Sequence, residues 1–254
     1  MPLGILAREH PELKIQRGYM HNGVEVWTWD RLAECDVLFA QRPHTAAHLR
    51  IIMAAQQLGM GIWVDLDDDM LSVPEGHPNY QFFSKDETKD TIKECISLAH
   101  AVTVTTKTLK TACGREDAIV MPNALNDYVI GFNRSPREKI IMWRGSCTHA
   151  DDVSNVVTQI ESIAHRDEFK DWMWWLVGDP PWALKRAIPE NNVHIGPGWD
   201  KLDGVAWQFL LQSSHAYIQI HPLVDNAFNR SKSNLAWIEA TAAGALSIMP
   251  NMPE

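Results

Sequence analysis

A lysine and a glutamate seven positions apart, Lys232 and Glu239, follow a polar loop that runs from His221 to Arg230 behind an apolar stretch. The loop opens what reads as a helix, so Asn229 or Ser231 can cap it while unpaired N–H groups of the first turn face an anion. Lys232 adds a full positive charge beside them. At about 100° per residue, a seven-residue step returns to within roughly 20° of the same direction. Lys232 and Glu239 are therefore expected along one edge of the apolar stripe of Leu235, Ile238 and Ala242. A carboxylate beside a buried stripe is costly without a partner, which points to a ligand hydroxyl or a nearby cation for Glu239. The plain alternative is a surface salt bridge or a cap.

A second cluster runs from Trp143 to Asp152. It follows a strand-like run and precedes a helical one, so Gly145 permits close backbone approach and Ser146 and Thr148 can hydrogen-bond to phosphate. Arg144 can pair with a diphosphate. A third is the run Asp65-Leu66-Asp67-Asp68-Asp69, where clustered carboxylates after a strand suggest a Mg²⁺ or Mn²⁺ site. Asp65-Leu66-Asp67 also resembles the catalytic loop of haloacid-dehalogenase-type phosphatases, which continue with a small pair where this chain has Asp68 and Asp69. Loop solvation and helix capping are the plain reading of these acids. His44 and His48 lie four apart on a helical stretch with no third ligand in view, and read as a structural pair.

These groups must be held by the elements between them. Short apolar runs alternate with segments of helical period, the pattern of parallel sheets flanked by helices, so the class is α/β. Strands are expected at 36–40, 61–66, 101–104, 118–121, 139–143, 172–177, 193–195, 216–220 and 245–249, and helices at 44–58, 86–99, around 109, 151–165, 202–212 and 231–243. The segment from about Asp127 to Arg137 lacks periodicity and is expected to separate two Rossmann-like domains, residues 1–130 and 131–254. Ligands in such sheets bind beyond the carboxyl ends of the strands, and the cleft between two domains is the natural site.

Composition narrows the classes further. With 45% hydrophobic and 22% charged residues the chain is globular. Its net charge of -9 disfavours bare nucleic acid, which calls for a basic face. Four scattered cysteines form no Cys-x-x-Cys pair, and no apolar run is long enough for a membrane span, so a soluble, cytoplasmic protein is expected. The 11 tryptophans are expected in core or inter-domain packing, not in a sugar-stacking platform.

The segment from Pro222 to Glu239 resembles glycosyltransferases of the GT-B fold, the large Glu-x7-Glu group also called glycosyl transferases group 1. The second glutamate of that signature matches Glu239, while the first position holds Ser231. A branch of the family carries "Pro-Leu…Phe-Asn-x-x-Lys-Ser…Glu", matched by Pro222, Leu223, Phe228, Asn229, Lys232, Ser233 and Glu239. Its "Trp-x-Gly-Ser-x-Thr-His-x-x-Asp" stretch is matched by Trp143, Gly145, Ser146, Thr148, His149 and Asp152. The resemblance implies a nucleoside diphosphate sugar as donor and no essential metal. It implies Glu239 on the ribose, and Lys232 and Arg144 on the leaving diphosphate. Gly145, Ser146, Thr148, His149, Phe228, Asn229 and Ser233 would line the donor site, and Asp67 or Asp68 would contact the acceptor or act as base. The acceptor would be a hydroxyl of a glycan, lipid-linked sugar, protein or modified base, with retention at the anomeric carbon. Relatives open with a strand and glycine-rich loop and extend past the position of Glu254, so the chain reads as a short form or a fragment. The alternatives are a phosphatase using Asp65 and Asp67, or a non-catalytic sugar-binding or scaffold protein.

Overall fold

Apolar runs in this chain become parallel strands, and the strands sort into two separate sheets. A computed structural model describes residues 9–16, 19–21, 24–26, 29–125, 131, 136–198, 201 and 204–253. A short antiparallel hairpin, β1 (Tyr19–His21) with β2 (Val24–Val26), comes first and has no counterpart in the expected elements. The first sheet has the order β3 (Val37–Gln41), β4 (Gly61–Leu66), β5 (Ala101–Val104), β6 (Ile119–Val120), all parallel.

The second sheet contains β7 (Glu138–Gly145), β8 (Met173–Gly178), β9 (Val193–Ile195), β10 (Ala216–Ile220) and β11 (Leu246–Ile248). Its order is β11-β10-β7-β8-β9, again all parallel. The chain leaves β7 toward β8 on one side and later returns to β10 on the other. A crevice therefore opens at the carboxyl ends of β7 and β10, the switch point where open sheets hold ligands.

The connecting helices are α1 (Trp29–Ala33), α2 (Ala46–Gln57), α3 (Tyr80–Phe83), α4 (Asp86–Ser97) and α5 (Lys107–Cys113) around the first sheet. Around the second lie α6 (Ala150–Ser154), α7 (Val157–Ala164), α8 (Trp182–Ala187), α9 (Gly204–Ser213), α10 (Ala227–Arg230) and α11 (Leu235–Ala242). Local chemistry sets several ends. Thr45 caps α2 in a reciprocal capping box with His48, and Thr106 caps α5, whose C-cap Gly114 turns left-handed at φ 72°.

Burial explains why the strands were readable. In β7 alternate residues enter opposite cores: Ile141 and Trp143 join Val153, Trp174, Leu176 and Leu184, while Ile140 and Met142 join Val177, Leu211 and Ala216. A strand covered on both faces reads as an unbroken apolar run. In the first sheet Ile62, Val64 and Leu66 meet Ile52 and Ala55 of α2 and Ile92 and Ile96 of α4. Trp143, Trp174 and Trp207 are buried as expected, but Trp182 and Trp237 stand 71% and 51% exposed.

Three expectations change. The helix expected over 151–165 is two, α6 and α7, behind a 3-10 turn at Cys147–His149. The helix expected from Ser231 begins only at Leu235, because Ser231 to Asn234 form a turn after α10. Neither Asn229 nor Ser231 caps α11, whose N-cap Asn234 makes no side-chain cap hydrogen bond; Asn226 instead caps α10, accepting from the Asn229 amide. Most of the separating segment from about Asp127 to Arg137, with residues 126–130 and 132–135, lies outside the described residues, as does the chain start at 1–8. Leu176, fully buried at the centre of β8, tests the core: Leu176→Ala should lower stability by about 2–5 kcal/mol, read as a reduced urea midpoint at unchanged slope.

Candidate functional site

The register of the second sheet puts Ile220 opposite Trp143, so Arg144 near the end of β7 and His221 just past β10 lie side by side at the carboxyl ends of the two strands. Arg144 Nη2 donates to Glu239 Oε2, its guanidinium lies 5.1 Å from the Trp207 ring centroid, and Trp207 Nε1 donates to Glu239 Oε1 at 3.3 Å. Side-chain exposure is 13% for Arg144 and 6% for Glu239. The cation expected for Glu239 is thus Arg144, and both side chains are committed to each other. Lys232 does not share a helix with Glu239. It sits in the turn before α11 and points to the first sheet.

Asp152 joins the two sequence segments. Its Oδ1 accepts from the Val224 amide at 2.8 Å and from Asn229 Nδ2 at 2.8 Å, and its Oδ2 accepts from His149 Nδ1 at 2.8 Å. Burial works to raise the Asp152 pKa, but the bonds from His149, Val224 and Asn229 outweigh it and hold the carboxyl below its ordinary range. Gly145 is required where it stands, since a Cβ would fall 2.7 Å from Trp143 Cζ2 and 3.1 Å from His149 Cδ2. Ser146 caps the 3-10 turn through the Thr148 amide, and the two hydroxyls lie 2.5 Å apart. The His221 ring lies 5.3 Å from that of His149, with Nδ1 buried and without a hydrogen-bond partner among the described residues. Burial, then Arg144, His149 and Lys232, push its pKa down to about 3.

From the first sheet, the loop after β4 closes over this crevice. Lys232 Nζ lies 3.2 Å from Asp68 Oδ1 and 4.5 Å from the Phe228 ring centroid, and the His77 and Phe228 ring centroids are 5.7 Å apart in an edge-on arrangement. Arg42 Nε is 3.1 Å from Asp67 Oδ1, an ion pair without hydrogen-bond alignment, and Arg42 Nη1 is 3.5 Å from Asp68 Oδ2. Burial raises the Asp67 pKa, Arg42 opposes it and Asp68 adds to it. Thr106 Oγ1 donates to the Ser231 carbonyl at 2.9 Å, and Asn123 Nδ2 donates to Ser233 Oγ at 2.7 Å. Ser233 is therefore turned to the first half and away from Arg144. Gly76 lies directly against the Asp151 carboxylate of α6, so a side chain there would have to displace it.

The aspartates diverge in place of forming one cage. Asp65 accepts from Thr103 Oγ1, Asp67 faces Arg42, Asp68 faces Lys232, and Asp69 accepts the Leu71 amide. His44 and His48 are a structural pair: His48 Nδ1 accepts from the Thr45 amide, and the rings meet edge-on at 5.0 Å. Arg42, His77, Trp207 and His221 belong to the site although they stood out less in the sequence. Only His221, at the head of the polar loop, carried a visible signal. A cavity of about 690 Å³ opens between α5 and α10, lined by Asp69, Lys107, Asn226, Arg230 and Ser231 among others, and none of the residues expected to hold the donor lines it. Among the described residues no helix is long and apolar enough to cross a membrane.

No protein-family model matches this chain, and no curated protein does. Solved structures match it in shape. The pneumococcal O-GlcNAc transferase GtfA, in complex with UDP and GlcNAc, superposes with a TM-score of 0.59 at 10% identity, covering 93% of this chain and 50% of that one. TarM gives 0.58 at 11% identity over 86% and 41%. An E. coli trehalose-6-phosphate structure bound with UDP-2-fluoro glucose gives 0.55 at 12% over 87% and 60%. The fold is thus the GT-B fold of glycosyltransferases. The chain spans about half the length of these structures, between 41% and 60%.

Two outcomes follow from the geometry. Glu239→Gln leaves the buried Arg144 guanidinium unpaired and should cost about 3–5 kcal/mol, whereas the Arg144→Met, Glu239→Leu double variant should recover most of it in urea unfolding. His221 stays neutral in the folded chain but protonates in the unfolded one below its ordinary 6.5, so the unfolded state binds more protons. Stability should then fall as pH drops from 6.5 toward 3, by up to about 1.4 kcal/mol per unit. His221→Gln should flatten that slope.

Proposed function

We propose that this chain binds a nucleoside diphosphate sugar and moves its sugar to an acceptor hydroxyl. The observation that carries this reading is the Asp152 carboxylate, which ties the Arg144–Asp152 segment to the Val224–Glu239 segment at the switch point. Two stretches far apart in sequence, each suited to phosphate, thereby become one site. The GT-B fold adds support, and so do the UDP and UDP-2-fluoro glucose bound by the similar structures.

In this reading Lys232 and the turn at Gly145 to His149 receive the diphosphate, with Phe228 beneath the lysine and Asn229 fixed by Asp152. Glu239, held by Arg144 and Trp207, is presented to the ribose, and Arg144 acts by orienting it and adding positive potential behind it. Charge developing on the departing diphosphate is met by groups already in place, so little reorganisation is needed. The acceptor oxygen bonds to the anomeric carbon as the carbon–phosphate oxygen bond breaks, with retention. Asp67 and Asp68 approach from residues 1–130, the acceptor side, and residues 131–254 form the donor side. Asp67, raised by burial, is suited to take the hydroxyl proton. UDP sugars are the first donors to test and GDP sugars the second. A cytoplasmic setting agrees with four free cysteines.

Saturating UDP sugar should raise the melting temperature by about 5–10 °C at a hundredfold excess over Kd, and Lys232→Ala should remove the shift. Mass detection of released UDP and glycosylated acceptor then reads turnover. No shift with UDP, GDP or ADP sugars would refute donor binding, and hydrolysis of a phosphomonoester lost in Asp65→Asn would move the chain to the phosphatases.

A further inference from the structure

The contact between Lys232 and Asp68 links the donor side to the loop after β4, and it sits where a donor's charge would have to go. Two carboxylates, Asp67 and Asp68, and two cations, Arg42 and Lys232, form one ionic chain across the gap. Its charges balance without a ligand. Asp68 divides its oxygens, with Oδ1 at 3.2 Å from Lys232 and Oδ2 at 3.5 Å from Arg42. The Lys232 side chain is 22% exposed and that of Asp68 is 27%, so solvent or an anion can reach the pair.

Arg42 is held in an unusual way. It has φ 47° in the left-handed region, which a non-glycine residue enters at a cost, and it immediately precedes Pro43. Its amide donates to the Asp65 carbonyl at 2.8 Å, which continues the pairing of β3 with β4 past the end of the strand. That anchoring directs the guanidinium over the carboxylates that follow β4. Its loose 3.5 Å contact with Asp68 has room to tighten.

We infer that Asp68 holds the place of the donor's diphosphate on Lys232, and that Arg42 receives the Asp68 carboxylate when the diphosphate takes the lysine. The inference rests on the donor reading above. A diphosphate brought to Lys232 meets Asp68 as a like charge at close range, and repulsion at that distance is relieved only if the carboxylate leaves or is neutralised. Arg42, from the neighbouring loop after β3, supplies the neutralising partner. Lys232 keeps its place over Phe228 throughout, so the exchange alters its partner and not its position. Arg42 is thus a positioning residue that acts through Asp68. Donor binding and the acceptor-side loop are coupled through one shared cation.

The test is UDP affinity by calorimetry on the full chain in a double-variant cycle. Asp68→Asn, which removes the competing charge, should tighten UDP by about two- to fivefold, the affinity equivalent of a partly exposed ion pair. Asp68→Ser should do the same. Arg42→Gln should weaken UDP by a similar factor when Asp68 is present and have no effect beside Asp68→Asn, while Arg42→Lys should restore affinity. Unchanged or weaker binding in both Asp68 variants overturns the exchange. So does an Arg42→Gln effect of equal size in both backgrounds, which marks Arg42 as a structural residue only. UDP binding by neither the natural chain nor Asp68→Asn takes down the donor reading itself, and is thereby distinct from failure of the exchange alone.

Discussion

The ion pair between Arg144 and Glu239 orders the second half of the molecule. Arg144 is near the end of β7, Glu239 is inside α11, and the Trp207 indole from α9 lies against both. A guanidinium and a carboxylate taken this far out of water are tolerable only together, each with a further partner. The pair therefore sets where α11 and α9 can sit relative to the central strand. It also consumes the charge of Arg144, so the cation that faces the opposite sheet is Lys232, supplied by the turn that separates α10 from α11.

Around that pair, environment assigns opposite protonation states to neighbouring groups. Asp152 is buried yet kept ionised by three donors, while His221 is kept neutral by burial and by the positive charges of Arg144 and Lys232.

The hydrogen bonds and the ion pair between the halves near the site are a threonine on a carbonyl, an asparagine on a serine hydroxyl, and a lysine on a carboxylate. Contacts of this kind can be exchanged for contacts to a polar ligand at little net cost, unlike buried apolar surface. They also come from the carboxyl ends of both sheets, where parallel topology gathers loops and helix starts.

Strands β4, β5, β9 and β10 match the sequence reading residue for residue; β5, with Val102, Thr103 and Val104 all buried, shows how a parallel strand covered on both faces leaves a continuous run. The two polar segments that meet at Asp152 were legible as well, because glycine and short polar residues between a strand and a helix stand out from the apolar runs around them. The seven-residue step from Lys232 to Glu239 misled. Helical periodicity states where side chains would point if a helix exists, and Ser231, Ser233 and Asn234 are weak helix formers around Lys232, so the segment turns. Arg42, Trp207 and the partnership of Asp152 with Val224 and Asn229 carried no local signal. Sequence by itself determined which segments become strands and which polar loops follow them, since these follow from local propensity and burial pattern. Only the tertiary structure decided which charges meet, because pairings such as Arg144 with Glu239 and Lys232 with Asp68 join residues that strand order, and not chain order, brings together.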